Sequence, residues 1–319
     1  MIILKLKVLF FKRKHIYYVL FILAILIFYA FSILSSGKSS YITFNSNSNI
    51  KNFKSDLNGD GKDDTLYILT NKNNRYQLQI NTSKNTFNLK PNKEVATLGT
   101  NYPYWPIRVK LKDISRNNIP EIFVQSSQDN VSLQHIFAYK DNEFKDIFCS
   151  YNNILGFIDC SNNKTPKILS AKVYGDSYYF ENYMLIDNKL EKYSSDIKDT
   201  FMGKDTILCF INIITSMNGK YMPTNENIFH EGIDLSSLDL LPNLAGYANN
   251  YVFQDAFFID TQSDNSGEPT NIEWTLNFKG NPIDSPNKLK NYTLKINLLR
   301  CKNCPEKYYY KIISFQLIN

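Results

Sequence analysis

The sequence lacks the short motifs that mark the common catalytic sites. It contains no HExxH zinc motif, no GxSxG nucleophile motif and no glycine-rich phosphate loop. Histidine is scarce, with three residues at His15, His135 and His230. A Cys/His pair such as Cys209 with His230 stays open, because such partners meet only in the folded chain. We therefore predict that the protein is not an enzyme, and keep a cell-envelope enzyme or enzyme accessory, with its active site in the C-terminal region, as the alternative.

Acidic residues are absent before Asp56, which makes the overall charge misleading. The formal net charge is +6, and five of these charges come from Lys5, Lys7, Lys12, Arg13 and Lys14. The rest of the chain is close to neutral. Proteins that bind nucleic acids carry a basic face on the folded domain itself. The sequence therefore excludes nucleic acid as a partner.

Charged residues are also missing from a run of 19 residues, 16–34. A helix of this length spans roughly 28 Å, close to the hydrocarbon core of a bilayer. No cysteine directly follows the run, which excludes a lipoprotein anchor, and Leu34-Ser35-Ser36-Gly37 is a poor cleavage site. We predict a transmembrane anchor at 16–34 over a cleaved signal peptide. The basic segment 1–15 then stays in the cytoplasm, and the rest is extracytoplasmic beyond a linker at 35–52.

Cysteine is limited to five residues, an odd number that leaves at least one thiol unpaired. Cys301 and Cys304 have the spacing of half a zinc site, but no second pair of ligands exists. We expect either a tight disulfide or two inert thiols at these positions.

The most specific motif is a nine-residue segment that runs from Asp56 to Asp64, DLNGDGKDD. Oxygen-bearing side chains fall at its first, third, fifth and ninth positions: Asp56, Asn58, Asp60 and Asp64. The backbone carbonyl of Lys62 supplies a further oxygen, and Gly61 permits the sharp turn. Ca²⁺ prefers six to eight oxygen ligands, so these five residues are the predicted calcium site. A metal-free hairpin turn is the alternative.

A buried strand, Thr65–Leu69, follows this loop, and Tyr67 stands where an EF-hand would have its bidentate Glu. The loop therefore joins two strands. It resembles the calcium loop of FG-GAP/VCBS repeats, which occur in integrin-type β-propellers and bacterial surface proteins. The resemblance implies a short array of propeller-like β-blades and a role in adhesion or ligand recognition.

Two degenerate copies of the loop follow at spacings of 57 and 46 residues: DISRNNIPE from Asp113 and DCSNNKTPK from Asp159. Each copy lies between short apolar strands, and further alternating strands follow, as in a four-stranded blade. The second copy has Asn118 where the first has Gly61. In the third, Lys167 replaces the last ligand, and we expect its ammonium group to reach Asp159 in place of an ion.

From about Ser194 the pattern changes. Ile207 to Ile214 has helical spacing, with a strand as the alternative, and 234–249 suggests short helical turns broken by Pro242. Three alternating strands follow, around Trp274–Phe278, Tyr292–Leu298 and Ile313–Leu317. This order favours an α+β domain.

The predicted fold is mostly β: an anchor helix, an FG-GAP/VCBS-like blade region at 53–193 and an α+β domain at 194–319. The predicted function is a membrane-anchored calcium-binding surface module, with the membrane as one partner and a cell-wall glycan or a protein as its ligand. A purely structural or sensory role is a third hypothesis.

Overall fold

A computed structural model describes residues 51–174, 177–186, 189–193, 201–217, 225–285, 287–301, 303–304 and 306–318. The predicted segments 1–15 and 16–34, and all but the last two residues of the linker 35–52, lie outside the described residues. Within the described ranges, no helix combines the length and apolar character needed to cross a membrane.

Alternation of apolar and polar residues fixes which face of each early strand is buried. In the strand that follows the first Asp-led loop, Leu66 and Ile68 are buried while Tyr67 is half-buried. Sheet A is a four-stranded antiparallel meander. It comprises β1 (Lys51–Ser55), β2 (Asp64–Thr70), β3 (Tyr76–Asn81) and β4 (Thr86–Asn88).

Sheet B repeats this meander, with the second loop between its first two strands. It comprises β5 (Arg108–Lys112), β6 (Glu121–Gln128), β7 (Val131–Lys140) and β8 (Glu143–Ser150). The third meander is β9 (Ile154–Ile158), β10 (Lys167–Tyr174), β11 (Ser177–Ile186) and β12 (Lys189–Tyr193). The prediction of a mostly β chain is thus confirmed, and the described residues form no closed propeller.

The third meander does not end as a separate sheet. Its first strand, β9, pairs in parallel with β13 (Asn249–Ser263), so that Ile154 lies opposite Ala256. Sheet C therefore has eight strands, in the order β12-β11-β10-β9-β13-β14-β15-β16. Its last three strands are β14 (Pro269–Pro282), β15 (Lys290–Arg300) and β16 (Tyr310–Leu317). The predicted boundary between 193 and 194 falls where the described residues stop at Tyr193 and resume at residue 201, and strands from both sides of it belong to sheet C.

The helices cover one face of sheet C. They are α1 (Lys204–Thr215), α2 (Leu235–Leu238) and α3 (Leu240–Gly246), and short 3-10 turns lie at Lys93–Val95, Phe201–Gly203, Glu226–Ile228 and Glu306–Tyr308. Helix α1 confirms the predicted helical spacing, because Ile207, Phe210 and Ile214 are fully buried against the sheet. Sheet B packs against the opposite face, where Phe123 and Phe157 lie with ring centres 4.4 Å apart.

Two details of the C-terminal region differ from the sequence prediction. The predicted strands there are present, but β13, which joins the two halves of sheet C, was not predicted. Its bulges at Phe253/Asp255 and Asp260/Gln262 break the alternation on which strand prediction depends. The predicted break at Pro242 is wrong: the chain turns at Asp239, and Pro242 lies in the first turn of α3, where proline is tolerated.

Candidate metal centre and its two relatives

The first loop joins β1 to β2 and is built around the carboxylate of Asp56. Its Oδ1 accepts hydrogen bonds from the amides of Asn58 (3.3 Å) and Gly59 (2.7 Å), and its Oδ2 accepts one from Gly61 (2.8 Å). Gly59 and Gly61 both have positive φ, at 78° and 79°. The backbone therefore curls around the first carboxylate of the motif, as the spacing of the glycines requires.

The other two carboxylates of the loop have opposite environments. Asp60 is exposed and accepts hydrogen bonds from the Ser83 hydroxyl (3.0 Å) and the Lys62 amide (3.0 Å). The Ser83 hydroxyl lowers the pKa of Asp60. Asp64 is only 1% exposed, and its burial raises the pKa of its carboxyl, with a smaller contribution from the charges of Asp60 and Asp56.

Asp64 carries an unmet polar atom. Its Oδ2 accepts a hydrogen bond from the Leu57 amide (3.0 Å), but its buried Oδ1 has no hydrogen-bond partner in the structure. A buried, unpaired carboxylate oxygen costs stability unless a proton or a cation satisfies it. Among described residues, no three His, Cys, Asp or Glu side chains converge into a metal-holding group by themselves. The Asn58 amide and the Lys62 carbonyl are the further oxygens of the predicted ligand set, and the unmet Asp64 oxygen fits a cation.

The second loop, from Asp113 to Glu121, repeats the hydrogen bonds of the first. Its sixth amide, Asn118, donates to Oδ2 of Asp113 at 2.9 Å, as Gly61 does to Asp56. Its second amide, Ile114, donates to the carboxylate at the ninth position, Glu121, at 2.8 Å. The buried Glu121 side chain also has a pKa raised by burial. The loops at 56 and 113 are therefore structural copies, and not only similar in sequence.

The backbone of the second loop shows why glycine is not essential there. Positions four and six are left-handed again, at Arg116 (φ 57°) and Asn118 (φ 65°). Asparagine is one of the residues that tolerates this conformation. The loss of glycine at position six therefore changes the cost of the turn without changing its shape.

The third loop is held by two protein cations, Lys167 and Arg116. Lys167 forms an ion pair with the buried carboxylate of Asp159, as predicted. The guanidinium of Arg116, from the second loop, also donates from Nη2 to the carbonyl oxygens of Asp159 (3.2 Å), Asn162 (2.7 Å) and Lys164 (2.6 Å). This role of the arginine could not be predicted from the sequence, because its partners lie more than forty residues away.

The three loops form a contiguous row. A methyl group added to Gly59 would lie 2.6 Å from Cδ1 of Ile119, so the first loop touches the second. Arg116 then joins the second loop to the third. A change at one loop can therefore be felt by its neighbour through direct contact.

We expect Asp159→Ala to leave the calcium response of the chain unchanged, because Lys167 already occupies the ninth position of that loop. The variant loses a buried acceptor and leaves Lys167 without its carboxylate partner, which should destabilise the fold by about 1–3 kcal/mol. Thermal melting with and without Ca²⁺ measures both effects. Loss of the calcium response in this variant would show that the third loop, and not the first, holds the ion.

Of the three histidines, His135 makes hydrogen bonds that hold parts of the fold together. His135 is fully buried, with Nδ1 2.7 Å from Asp146 Oδ2 and Nε2 2.9 Å from the Thr97 carbonyl oxygen. Asp146 also accepts a hydrogen bond from the Asn92 amide (2.8 Å). The histidine therefore ties sheet B to the segment that precedes it.

The five cysteines form one disulfide and three free thiols. Cys301 and Cys304 form a disulfide, one of the two predicted alternatives. Burial raises the pKa of Cys149 to about 11 and that of Cys160 to about 12, so both are protonated at neutral pH. Cys209 accepts a hydrogen bond from Asn225, and no hydrogen bond between described residues joins it to His230.

No protein-family model matches this chain, and a search of curated proteins finds no similar sequence. The chemistry of the loops and of the surfaces around them is therefore what indicates a function.

Proposed function

We propose that the protein is a membrane-anchored, extracytoplasmic module that binds Ca²⁺ in its first loop and a cell-wall glycan or surface protein on its folded part. The observation that carries the calcium proposal is the buried, unpartnered Oδ1 of Asp64 within an otherwise satisfied loop. Asp56, Asn58, Asp60 and Asp64 would hold the ion with the carbonyl of Lys62. Bound Ca²⁺ supplies positive charge that neutralises the loop and fixes its shape.

The resemblance to FG-GAP/VCBS repeats supports the surface role. Three successive four-stranded meanders with equivalent loops are what such an array would contain. Two loops keep the same hydrogen bonds, and the third has exchanged the ion for Lys167 and Arg116. An array whose first loop offers three carboxylates to an ion fits a structural calcium site in a binding protein.

The location is tested by labelling introduced thiols in intact protoplasts. Lys72 lies in the exposed turn between β2 and β3, so a reagent that cannot cross membranes should label Lys72→Cys. The matched variant Lys12→Cys, in the basic segment, should react only after lysis. The wild-type chain gives the background from the native thiols. Labelling of position 12 in intact cells, with position 72 protected, would reverse the proposed orientation.

The binding role is tested with isolated cell-wall material. We expect the full-length chain in mild detergent to co-sediment with the wall fraction in the presence of Ca²⁺. A chain that melts cooperatively but does not associate with walls or with any surface protein would contradict the proposal.

A further inference from the structure

Strand β5 presents a row of cations toward sheet C. Arg108, Lys110 and Lys112 alternate along the strand and so share one face, while Val109 is buried on the other. Arg108 Nη1 lies 2.9 Å from Asp255 Oδ1 of β13, and Lys110 Nζ lies 5.1 Å from the centre of the Phe257 ring. Since β5 is the edge strand of sheet B, this cationic row lies where sheet B ends over β13.

Beyond that edge, sheet C continues as a polar surface. We call the side of β14–β16 that faces away from α1 the polar face. On β14 it carries Glu273, Thr275 and Asn277, which alternate with the buried Trp274 and Leu276. Glu273 is paired with Lys295 of β15 at 2.7 Å, and these side chains are only 16% and 25% exposed.

A hydrogen-bonded row crosses this face from β5. Arg108 contacts Asp255, which accepts from Asn277 Nδ2 (3.1 Å), and Asn277 in turn accepts from the Thr293 hydroxyl (2.7 Å). Asn291 donates to Thr293 at 2.8 Å. The polar face is therefore a preorganised row of amide and hydroxyl groups, held in place before any ligand arrives.

Both ends of that row have an unmet polar atom. Nη2 of Arg108 is a buried donor without a partner, and Oδ1 of Asn291 is a buried acceptor without one. Arg108 itself is only 7% exposed. Buried polar atoms in native proteins are rarely left unpaired, so the row keeps the capacity for one further hydrogen bond at each end.

The charge of the surface is strongly biased. The strand register places Lys279, Lys295 and Lys311 on the polar face, in addition to the three cations of β5. The carboxylates on this face are Asp255 and Glu273, which are both already paired, and the buried Glu121, which lies opposite Lys112 in sheet B. Six cations against three carboxylates favour a ligand with negative charge.

An aromatic pair closes one end of the surface. Tyr102 and Tyr104, which precede β5, are stacked with ring centres 5.2 Å apart. Lys279 Nζ lies 5.8 Å from the centre of the Tyr104 ring. Flat aromatic faces with a polar tip provide large contact area at low entropic cost.

We propose that the polar face of β14–β16, together with the cationic row of β5 and the Tyr102–Tyr104 pair, binds an acidic polysaccharide whose sugars carry carboxylates. The inference rests on the proposed surface function and gives it a ligand class. Carboxylates pair with the lysines, sugar hydroxyls exchange hydrogen bonds with Thr293 and Asn291, and an apolar sugar face packs on Tyr104. From Glu273 to Lys279 the polar face extends for roughly 20 Å along β14, which is long enough for an oligosaccharide.

The pattern of groups separates this ligand from other anions. A nucleic acid places a charge every few ångströms along each strand and needs a densely basic surface. Here polar amides and hydroxyls alternate with the lysines, which suits a ligand rich in hydroxyls. A neutral glycan would leave the excess of cations without a role.

The pH dependence gives an independent readout. Burial lowers the pKa of Lys110 to about 8, and the groups around it are Arg108 on β5, Glu273 on β14 and Lys295 on β15. A lysine with a lowered pKa carries its charge below that value and loses it above. Binding of a carboxylate ligand should therefore weaken as the pH rises through about 8.

The test is calorimetric titration of the full-length chain in mild detergent with oligomers of polygalacturonate. The matched ligand is the methyl ester of the same oligomers, which keeps every sugar and removes the charge. We expect the ester to bind at least tenfold more weakly. The variant Lys110→Gln/Lys112→Gln should lose at least tenfold in affinity, while Lys54→Gln/Lys84→Gln, which removes the same charge from exposed positions of sheet A, should stay within twofold.

Melting temperatures establish that the variants fold. If Lys110→Gln/Lys112→Gln does not fold, Lys279→Gln, at the far end of the polar face, is tested in its place. Equal binding of acid and ester, or equal loss in the sheet A control, would overturn the proposal. So would equally strong binding of a phosphodiester polymer. A chain that binds wall material but ignores polygalacturonate would overturn this ligand while leaving the proposed surface function in place.

Discussion

We expect EGTA to lower the melting temperature of the full-length chain by roughly 5–10 °C relative to a millimolar calcium buffer. A ligand that binds only the folded state stabilises it by RT ln(1 + [L]/Kd). Calcium at one hundred times its dissociation constant therefore contributes about 2.7 kcal/mol. The first loop should supply most of this effect, because it offers three carboxylates at the proposed ligand positions, whereas the second loop offers two, Asp113 and Glu121.

Two substitutions separate the role of the ion from that of the turn. Asp60→Ala should abolish most of the calcium response, because Asp60 is a proposed ligand, and it should change the fold in EGTA little, because its side chain is exposed. Asp64→Asn should also abolish it, yet raise the melting temperature in EGTA, because the amide can still accept from the Leu57 amide while burying no charge. Asp63→Asn, an exposed carboxylate beside the ligands, is the matched control and should respond like the wild type.

The raised pKa of Asp64 sets the sign of the pH effect in EGTA. Its folded pKa lies above that of the unfolded chain, so its stabilising contribution is complete below the unfolded value and is lost as the pH rises through the folded one. Lowering the pH from 7 should therefore stabilise the wild type relative to Asp64→Asn. A wild-type melting temperature that does not change with EGTA would show that the loop is only a turn.

We expect Asp255→Ala to destabilise the fold by about 3–5 kcal/mol, because it leaves the buried guanidinium of Arg108 without its carboxylate partner. The two side chains are 7% and 3% exposed and lie 2.9 Å apart. The Trp105 indole and the Asn277 amide lose their acceptor at the same time. Urea unfolding of the wild type and the variant measures the loss.

A double-mutant cycle tests whether the unpaired charge is the cause. Arg108→Met/Asp255→Leu should recover much of the stability, because it removes both charges from the interface between sheets B and C. The exposed pair Lys145–Asp141 is the control, and Asp141→Ala should change the melting temperature little. Equal losses at the two sites would contradict the role assigned to burial.

Much of the chain could be predicted because its signals are local. The first loop and the strands beside it follow from spacing and alternation, and the ion pair of Lys167 with Asp159 follows from one substitution in an aligned repeat. The contact of Arg116 with the third loop could not be predicted, because an arginine in a polar loop looks like any solvated side chain. Strand β13 was missed because its buried Asp255 and its bulges conceal the period of two.

The parallel pairing of β9 with β13 also governs the order in which the chain can fold. Sheets A and B are each formed by strands that follow one another in the sequence. Every residue of β9, in contrast, is buried, and one of its edges pairs with Ala256 to Ile259, which come much later in the chain. Such distant pairings form slowly, and an unpaired apolar edge invites association with other chains. During synthesis from the N-terminus, the third meander therefore lacks the neighbour of β9 until β13 has been made. The C-terminal region thus completes a sheet whose first strands were made before it.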